Sequence, residues 1–229
     1  MKKIVVLTGA GISAESGIST FRDSGGLWEK HKIEDVATFD AWCRNRELVL
    51  DFYNQRRRQL AEVTPNAAHL SLARLERKFE VQVITQNVDD LHERGGSTHI
   101  LHLHGEMVKA RSTVDENLIY TIGYKDINAG DKCEKGSQLR PHIVWFGEAV
   151  PNISLAAEMA HQADILIVIG TSLNVYPAAG LAQVTRAGCR KFLIDPKAGE
   201  LNLGLAWTIM AKPAGEGVPE LVDQLLQEA

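Results

Sequence analysis

Two glycines near the start of the chain are followed by a run of groups able to do polar chemistry. In "LTGAGISAESGISTFR" (7–22), Gly9, Gly11 and Ala14 fit the G-x-G-x-x-G/A spacing of a dinucleotide-binding turn. Such a turn brings backbone N–H groups at a helix N-terminus against a pyrophosphate. Ser13, Glu15, Ser16, Thr20 and Arg22 lie within or just after it, more polar groups than a phosphate cradle alone calls for. "TQNVDDLHERGG" (85–96) then places Gln86, Asn87 and Asp89 where a strand would end. In open α/β sheets that edge binds ligands, although Asn and Asp serve equally as turn formers. "LHLHGE" (101–106) puts His102 and His104 two apart, on one face of a short strand. A histidine at a strand end facing a cofactor is a natural general base, since it titrates near neutrality. "WFGE" (145–148) and "GTSLNVYPAA" (170–179) end two further runs, and Gly170, Thr171 and Ser172 offer backbone and hydroxyl donors.

A hydride-transferring dehydrogenase would also need an acid about 20 residues beyond the glycines, at the end of a second strand. Glu34 and Asp35 stand at that distance, but no strand pattern leads to them. What remains is a glycine turn giving onto a helix N-terminus, either a cradle for a diphosphate or a capped, polar loop.

The elements that must position these groups read as an α/β fold. Apolar, β-branched runs occur at 3–9, 81–87, 100–105, 142–147, 164–170 and 191–195, as expected for a parallel sheet covered on both faces. Helical patterns lie between them, at 64–78 (Thr64 as N-cap, Pro65 first), 154–162, 177–187 and 218–228. The alternation predicts a doubly wound, Rossmann-like parallel sheet. Two stretches interrupt it: 26–63, with one long helix over 39–62, and the polar, weakly periodic 107–141. The expected large domain is then 1–25, 64–106 and 142–229, with the two insertions building a smaller lobe.

With 229 residues, 45% of them hydrophobic, the chain can bury a sizeable core. A net charge of −4 gives no electrostatic reason for nucleic-acid binding, and the apolar runs are too short to span a bilayer. Cys43, Cys133 and Cys189 are widely spaced, with no C-x-x-C pair, which argues for reduced thiols and a cytoplasmic location.

Taken in order, "GAGISAESGISTFR", "TQNVDD", "HLHG", "WFGE" and "GTS…VYPAA" resemble the sirtuins, NAD-dependent protein lysine deacylases, over essentially the whole chain. The resemblance implies that NAD is a co-substrate held by Gly9, Ala10, Gly11, Ser13, Ala14, Glu15, Thr20, Phe21, Arg22 and Trp28. Gln86, Asn87 and Asp89 would surround the nicotinamide and its ribose. Gly170, Thr171, Ser172, Asp195 and Ala214 would line the adenosine end. An acidic Asp195 can accept from ribose hydroxyls and would disfavour a 2′-phosphate, which implies NAD over NADP. The implied catalytic residues are His104, Asn87 and Asp89. His104 would act as base on the ribose hydroxyls after the acyl oxygen has displaced nicotinamide to give an alkylimidate. The products would be free lysine and 2′-O-acyl-ADP-ribose. The acyl-lysine peptide would lie extended along Val144, Trp145, Phe146, Gly147 and Glu148.

Tyr53 and Arg56, spaced i and i+3 on the long helix, share a face. A subgroup of sirtuins carries such a Y-x-x-R pair in the acyl pocket, which implies succinyl, malonyl or glutaryl lysine as preferred substrates, with acetyl lysine left open. Arg57 and Arg58 would belong to a solvated basic face. Many sirtuins also hold a four-cysteine zinc site, but 107–141 offers only Cys133, with Ser112 at a ligand position and His142 nearby. No zinc is expected. The expected partners are acyl-lysine proteins or peptides, with the enzyme a monomer. Two rivals share the binding residues: an NAD glycohydrolase or mono-ADP-ribosyltransferase, and a silent NAD or ADP-ribose binding module.

Overall fold

Strands that are apolar at nearly every position need cover on both faces, and a six-stranded sheet receives it here. The structure is a computed structural model that describes residues 1–18, 31–171, 176–200 and 205–229. Strands β1 (Lys3–Thr8), β2 (Glu80–Thr85), β3 (Ile100–His102), β7 (Ile165–Ile169), β8 (Arg190–Ile194) and β9 (Trp207–Met210) pair in parallel in the order β3-β2-β1-β7-β8-β9. Ile4, Val6, Val83 and Ile167 point to one face, under helices α5 (Ala67–Leu75) and α8 (Ala214–Gln227). Val5, Leu7, Ile84 and Val168 point to the other, under helix α7 (Ile153–Gln162) and a 3₁₀ turn at Ala178–Ala182. The strand order reverses between β1 and β7, the switch point at which α/β sheets open a crevice for ligands.

A separate antiparallel sheet of β4 (Gly105–Ser112), β5 (Ile119–Thr121) and β6 (Leu139–Ile143) is ordered β5-β4-β6. It packs with the helical segment α2 (Ile33–Val36), α3 (Phe39–Arg44) and α4 (Arg46–Glu62) around Trp42, Phe52, Tyr53, Met107, Ile143 and Trp145. A Rossmann-like parallel sheet with a smaller second body is the expected fold class.

Several elements depart from the sequence-based expectation. The segment 142–147 does not join the parallel sheet: its strand is β6, which ends at Ile143, and Trp145 turns away into the second core. Of 100–105 only Ile100–His102 stays in the parallel sheet, because Gly105 at φ +84° turns the chain into β4. A Cβ there would lie 2.0 Å from the His142 carbonyl oxygen. The helix expected at 39–62 is two, since Asn45 leaves the helical region and its side chain caps Leu48 N at 3.1 Å. Helix α5 starts at Ala67 rather than Pro65, with Asn66 as its cap and His69 closing a capping box. Over 177–187 the described helix is only the 3₁₀ turn. Strand β9, from "WTIM", was not expected.

Candidate active site

The parallel sheet aims the ends of β1, β2, β7 and β8 at one cleft, which the second body walls off on its far side. Its volume is about 760 Å³. Gly9 N donates to Ile169 O at 3.0 Å and Gly11 N to Gly170 O at 2.9 Å, stitching the loops after β1 and β7 together. The contact is so tight that a Cβ on Gly11 would lie 2.6 Å from Gly170 Cα. Helix α1 (Gly11–Ala14) begins at this seam. Glu15 reaches across to α8, where its carboxylate accepts from Gly215 N at 2.6 Å.

The loop after β2 is held from below. Thr85 Oγ1 accepts from Asn87 N at 3.0 Å, and Thr8 Oγ1 donates to it at 2.8 Å. The Asn87 amide donates to Gly9 O and to Ser13 Oγ, both at 3.1 Å. Ser13 in turn donates to Asp89 at 3.0 Å. Burial raises the Asp89 carboxyl above its usual range, against the bonds it accepts from Leu91 N and Ser13. Gln86 donates to Thr171 Oγ1 at 3.3 Å, which ties β2 to β7 across β1.

His104 stands where the chain leaves the parallel sheet for β4. Its Nδ1 lies 3.0 Å from Gln86 O, an atom that can only accept, so Nδ1 carries the proton and Nε2 is the basic nitrogen. Its backbone oxygen accepts from Val144 N at 2.9 Å. Burial lowers the imidazole below its usual value, partly offset by the bond to Gln86. His102 does not share its place: it bonds Asn87 O at 3.1 Å and Glu93 at 2.8 Å, and it is not among the residues lining the cleft.

All the expected site residues within the described structure line this cleft. They are Gly9, Ala10, Gly11, Ser13, Ala14, Glu15, Gln86, Asn87, Asp89, His104, Gly170, Thr171, Asp195 and Ala214, with Tyr53, Arg56, Val144, Trp145, Phe146, Gly147 and Glu148. Thr20, Phe21, Arg22, Trp28 and Ser172 lie outside the described residues. Glu34 and Asp35 sit in α2 and Asp35 pairs with Arg44 at 3.0 Å, so neither is a strand-end ribose acid. Lys197 and Gln59 also line the cleft, and no motif pointed to them.

Tyr53 and Arg56 share the wall formed by α4. The three consecutive arginines part company. Arg56 faces the cleft and Arg58 pairs with Asp126, whereas Arg57 is fully buried instead of lying on a solvated face. Arg57 donates to Met107 O at 2.9 Å and to Asn54 at 2.7 Å, pinning α4 to β4. Along 144–148 four amides are already engaged, to His104 O, the Glu148 carboxylate, Ala37 O and Trp145 O. Glu148 itself accepts from Arg140 at 2.8 and 3.0 Å, so it braces the segment from behind.

The donor set in the small lobe does not suit zinc. Cys133 Sγ lies 3.3 Å from Ser112 Oγ and 3.1 Å from Ser137 Oγ, one thiol among neutral hydroxyls where a structural site needs thiolates or imidazoles. Ser112 Oγ also accepts from the amides of Val114 and Asp115, at 3.1 and 3.2 Å, which closes the knuckle with hydrogen bonds.

Comparison with known proteins supplies the family. Residues 9–177 match the Sir2 family. A protein of Bacteroides thetaiotaomicron named NAD-dependent protein deacylase is 54% identical over 99% of both chains. One of the same name from Helicobacter pylori is 53% identical over the full length of both. The crystal structure of a Sir2 homologue in complex with NAD superposes with a TM-score of 0.89 at 39% identity, covering 99% of this chain and 90% of that one. The chain therefore belongs to the Sir2 family of NAD-dependent protein deacylases.

Proposed function

We propose that this enzyme removes dicarboxylic acyl groups, succinyl and malonyl above all, from protein lysines. NAD, acyl-lysine and one water molecule give nicotinamide, free lysine and 2′-O-acyl-ADP-ribose. The observation that carries the reading is a half-buried His104 in one tautomer, in the same cleft as a Tyr53–Arg56 pair. NAD supplies a ribose carbon activated by its nicotinamide leaving group. Gly9, Ala10, Gly11 and Ala14 cradle the diphosphate. Thr171 and Ala214 line the adenosine end, where Asp195 accepts from ribose hydroxyls and disfavours a 2′-phosphate. Ser13, Asn87 and Asp89 form one hydrogen-bonded set beside the nicotinamide ribose, and Gln86 holds that set to Thr171. His104 takes the proton from a ribose hydroxyl through Nε2, as Gln86 O holds Nδ1–H.

Arg56 offers a charge-assisted partner to the distal carboxylate of the acyl chain, and Tyr53 adds a hydroxyl. The peptide runs along 144–148 and donates to its carbonyls, since four of the five amides there are taken. No zinc enters the reaction or the scaffold, and one chain forms the complete site.

Incubation with NAD and a succinyl-lysine peptide tests the reading. Free lysine peptide with O-succinyl-ADP-ribose is expected. Nicotinamide release without peptide turnover would mark a glycohydrolase, and no turnover a binding module. For acyl choice, Arg56→Met should lower desuccinylation by 10²-fold or more, as a buried carboxylate left unpaired costs several kcal/mol. A full desuccinylation rate in that variant would remove the carboxylate clamp.

A further inference from the structure

Trp145 is the largest fully buried side chain among the described residues, yet its indole N–H is directed at the cleft wall. Nε1 donates to the Tyr53 hydroxyl oxygen at 3.0 Å, and both residues are at most 3% exposed. We propose that Trp145 is a positioning residue for acyl choice, its indole N–H turning the Tyr53 hydroxyl proton toward the acyl end of the cleft. The proposal rests on the Tyr53–Arg56 clamp and adds the group that orients it.

An indole N–H can only donate, so the phenol oxygen must spend a lone pair on it. The O–H of a phenol prefers the ring plane and has two orientations there. The side that faces Trp145 is filled, which leaves the proton on the other. Tyr53 lines the cleft beside Arg56, so the hydroxyl offers a proton and no competing lone pair to an incoming carboxylate. Accepting a bond also polarises the O–H and strengthens it as a donor. Burial pushes the Tyr53 phenol up to about 12, so the proton stays in place through the working range of the enzyme.

The indole is itself fixed. The Arg140 guanidinium lies 3.4 Å from its ring centroid, the Trp42 ring centroid lies at 5.7 Å, and Trp145 N donates to Glu148 at 2.8 Å. Arg140 and Glu148 pair with each other, so one ion pair holds the indole by its face and by its backbone. A donor held this way suits an anionic acyl end. A methyl group has no lone pair to offer it, so acetyl-lysine leaves the oriented proton unanswered.

The test replaces Trp145 with benzothienylalanine, which keeps shape and volume but has sulfur in place of the N–H. Kinetics with succinyl- and acetyl-lysine versions of one peptide are compared in the wild type, in this variant, in Tyr53→Phe and in the double variant. The expected result is a roughly tenfold fall in the succinyl-to-acetyl ratio of kcat/KM, carried by the succinyl KM. Tyr53→Phe should give a similar fall, and the double variant no further one. Equal losses for both acyl groups, or losses that multiply in the double variant, would overturn the positioning role. Arg56→Met separates the two layers. If it leaves the ratio intact, the clamp falls and this proposal with it. If it collapses the ratio while benzothienylalanine does not, only the role of Trp145 falls. A melting curve on each variant shows that the comparison is made on folded protein.

Discussion

His104 carries the heaviest chemical load of any single side chain in the proposed reaction. Replacing it with alanine should lower kcat/KM by 10² to 10⁴, the range of a lost general base, while an NAD-binding titration changes little. Its protonation has a definite sign. The base works neutral, and burial holds its pKa below the usual 6.5. Activity should therefore be flat from neutral pH upward, and fall only as the pH drops below the ordinary imidazole range. A pH profile of kcat/KM with its acid limb above 6.5 would contradict the environment described. This residue was legible in the sequence because "HLHG" placed it at a strand end with a glycine behind it. Arg57 was not. Three adjacent arginines look alike in sequence, and only the 100° of rotation between neighbours on a helix sends one to the cleft, one inward and one to Asp126.

At the scale of elements, the loops after β1 and β7 behave as one piece. Gly11→Ala puts a Cβ 2.6 Å from Gly170 Cα, backbone that cannot step aside. Loss of NAD binding and at least about 2 kcal/mol of stability are expected, read by titration and urea melts. Asn45→Ala removes the side chain that caps α4 and should cost about 1 kcal/mol in the same melts. The strands that were legible were those with continuous apolar runs, β1, β2, β7 and β8, since burial on both faces writes itself into composition. Strand β9 was not legible: it is four residues long, and only partly buried or exposed. Strand β6 was misplaced because "HIVWFG" is as apolar as a central strand. Its Ile143 and Trp145 serve a different core, against α4, and periodicity does not say which core a run will join.

The whole molecule should be sensitive to acid and indifferent to chelators. His69 and His92 are fully buried with rings 5.0 Å apart, and burial lowers His69 to about 4 and His92 well below the usual value. Both are neutral when folded, so the unfolded chain takes up more protons below 6.5. Stability present above that pH should be lost as the pH falls toward about 4, by roughly 3 kcal/mol for His69 alone. Urea melts across this window check the slope. Melting temperatures with and without EDTA should coincide, as hydroxyl and thiol bonds close the knuckle around Cys133, and Ser112→Ala should lower them. The joint between the two sheets has one further consequence. The backbone oxygen of His104 is held by Val144 and its ring by Gln86, so the imidazole is gripped by both halves at once. A small molecule that wedges the halves apart, even by a fraction of an ångström, would pull those grips in opposite directions. It would disarm the base without ever competing for the nucleotide or the peptide.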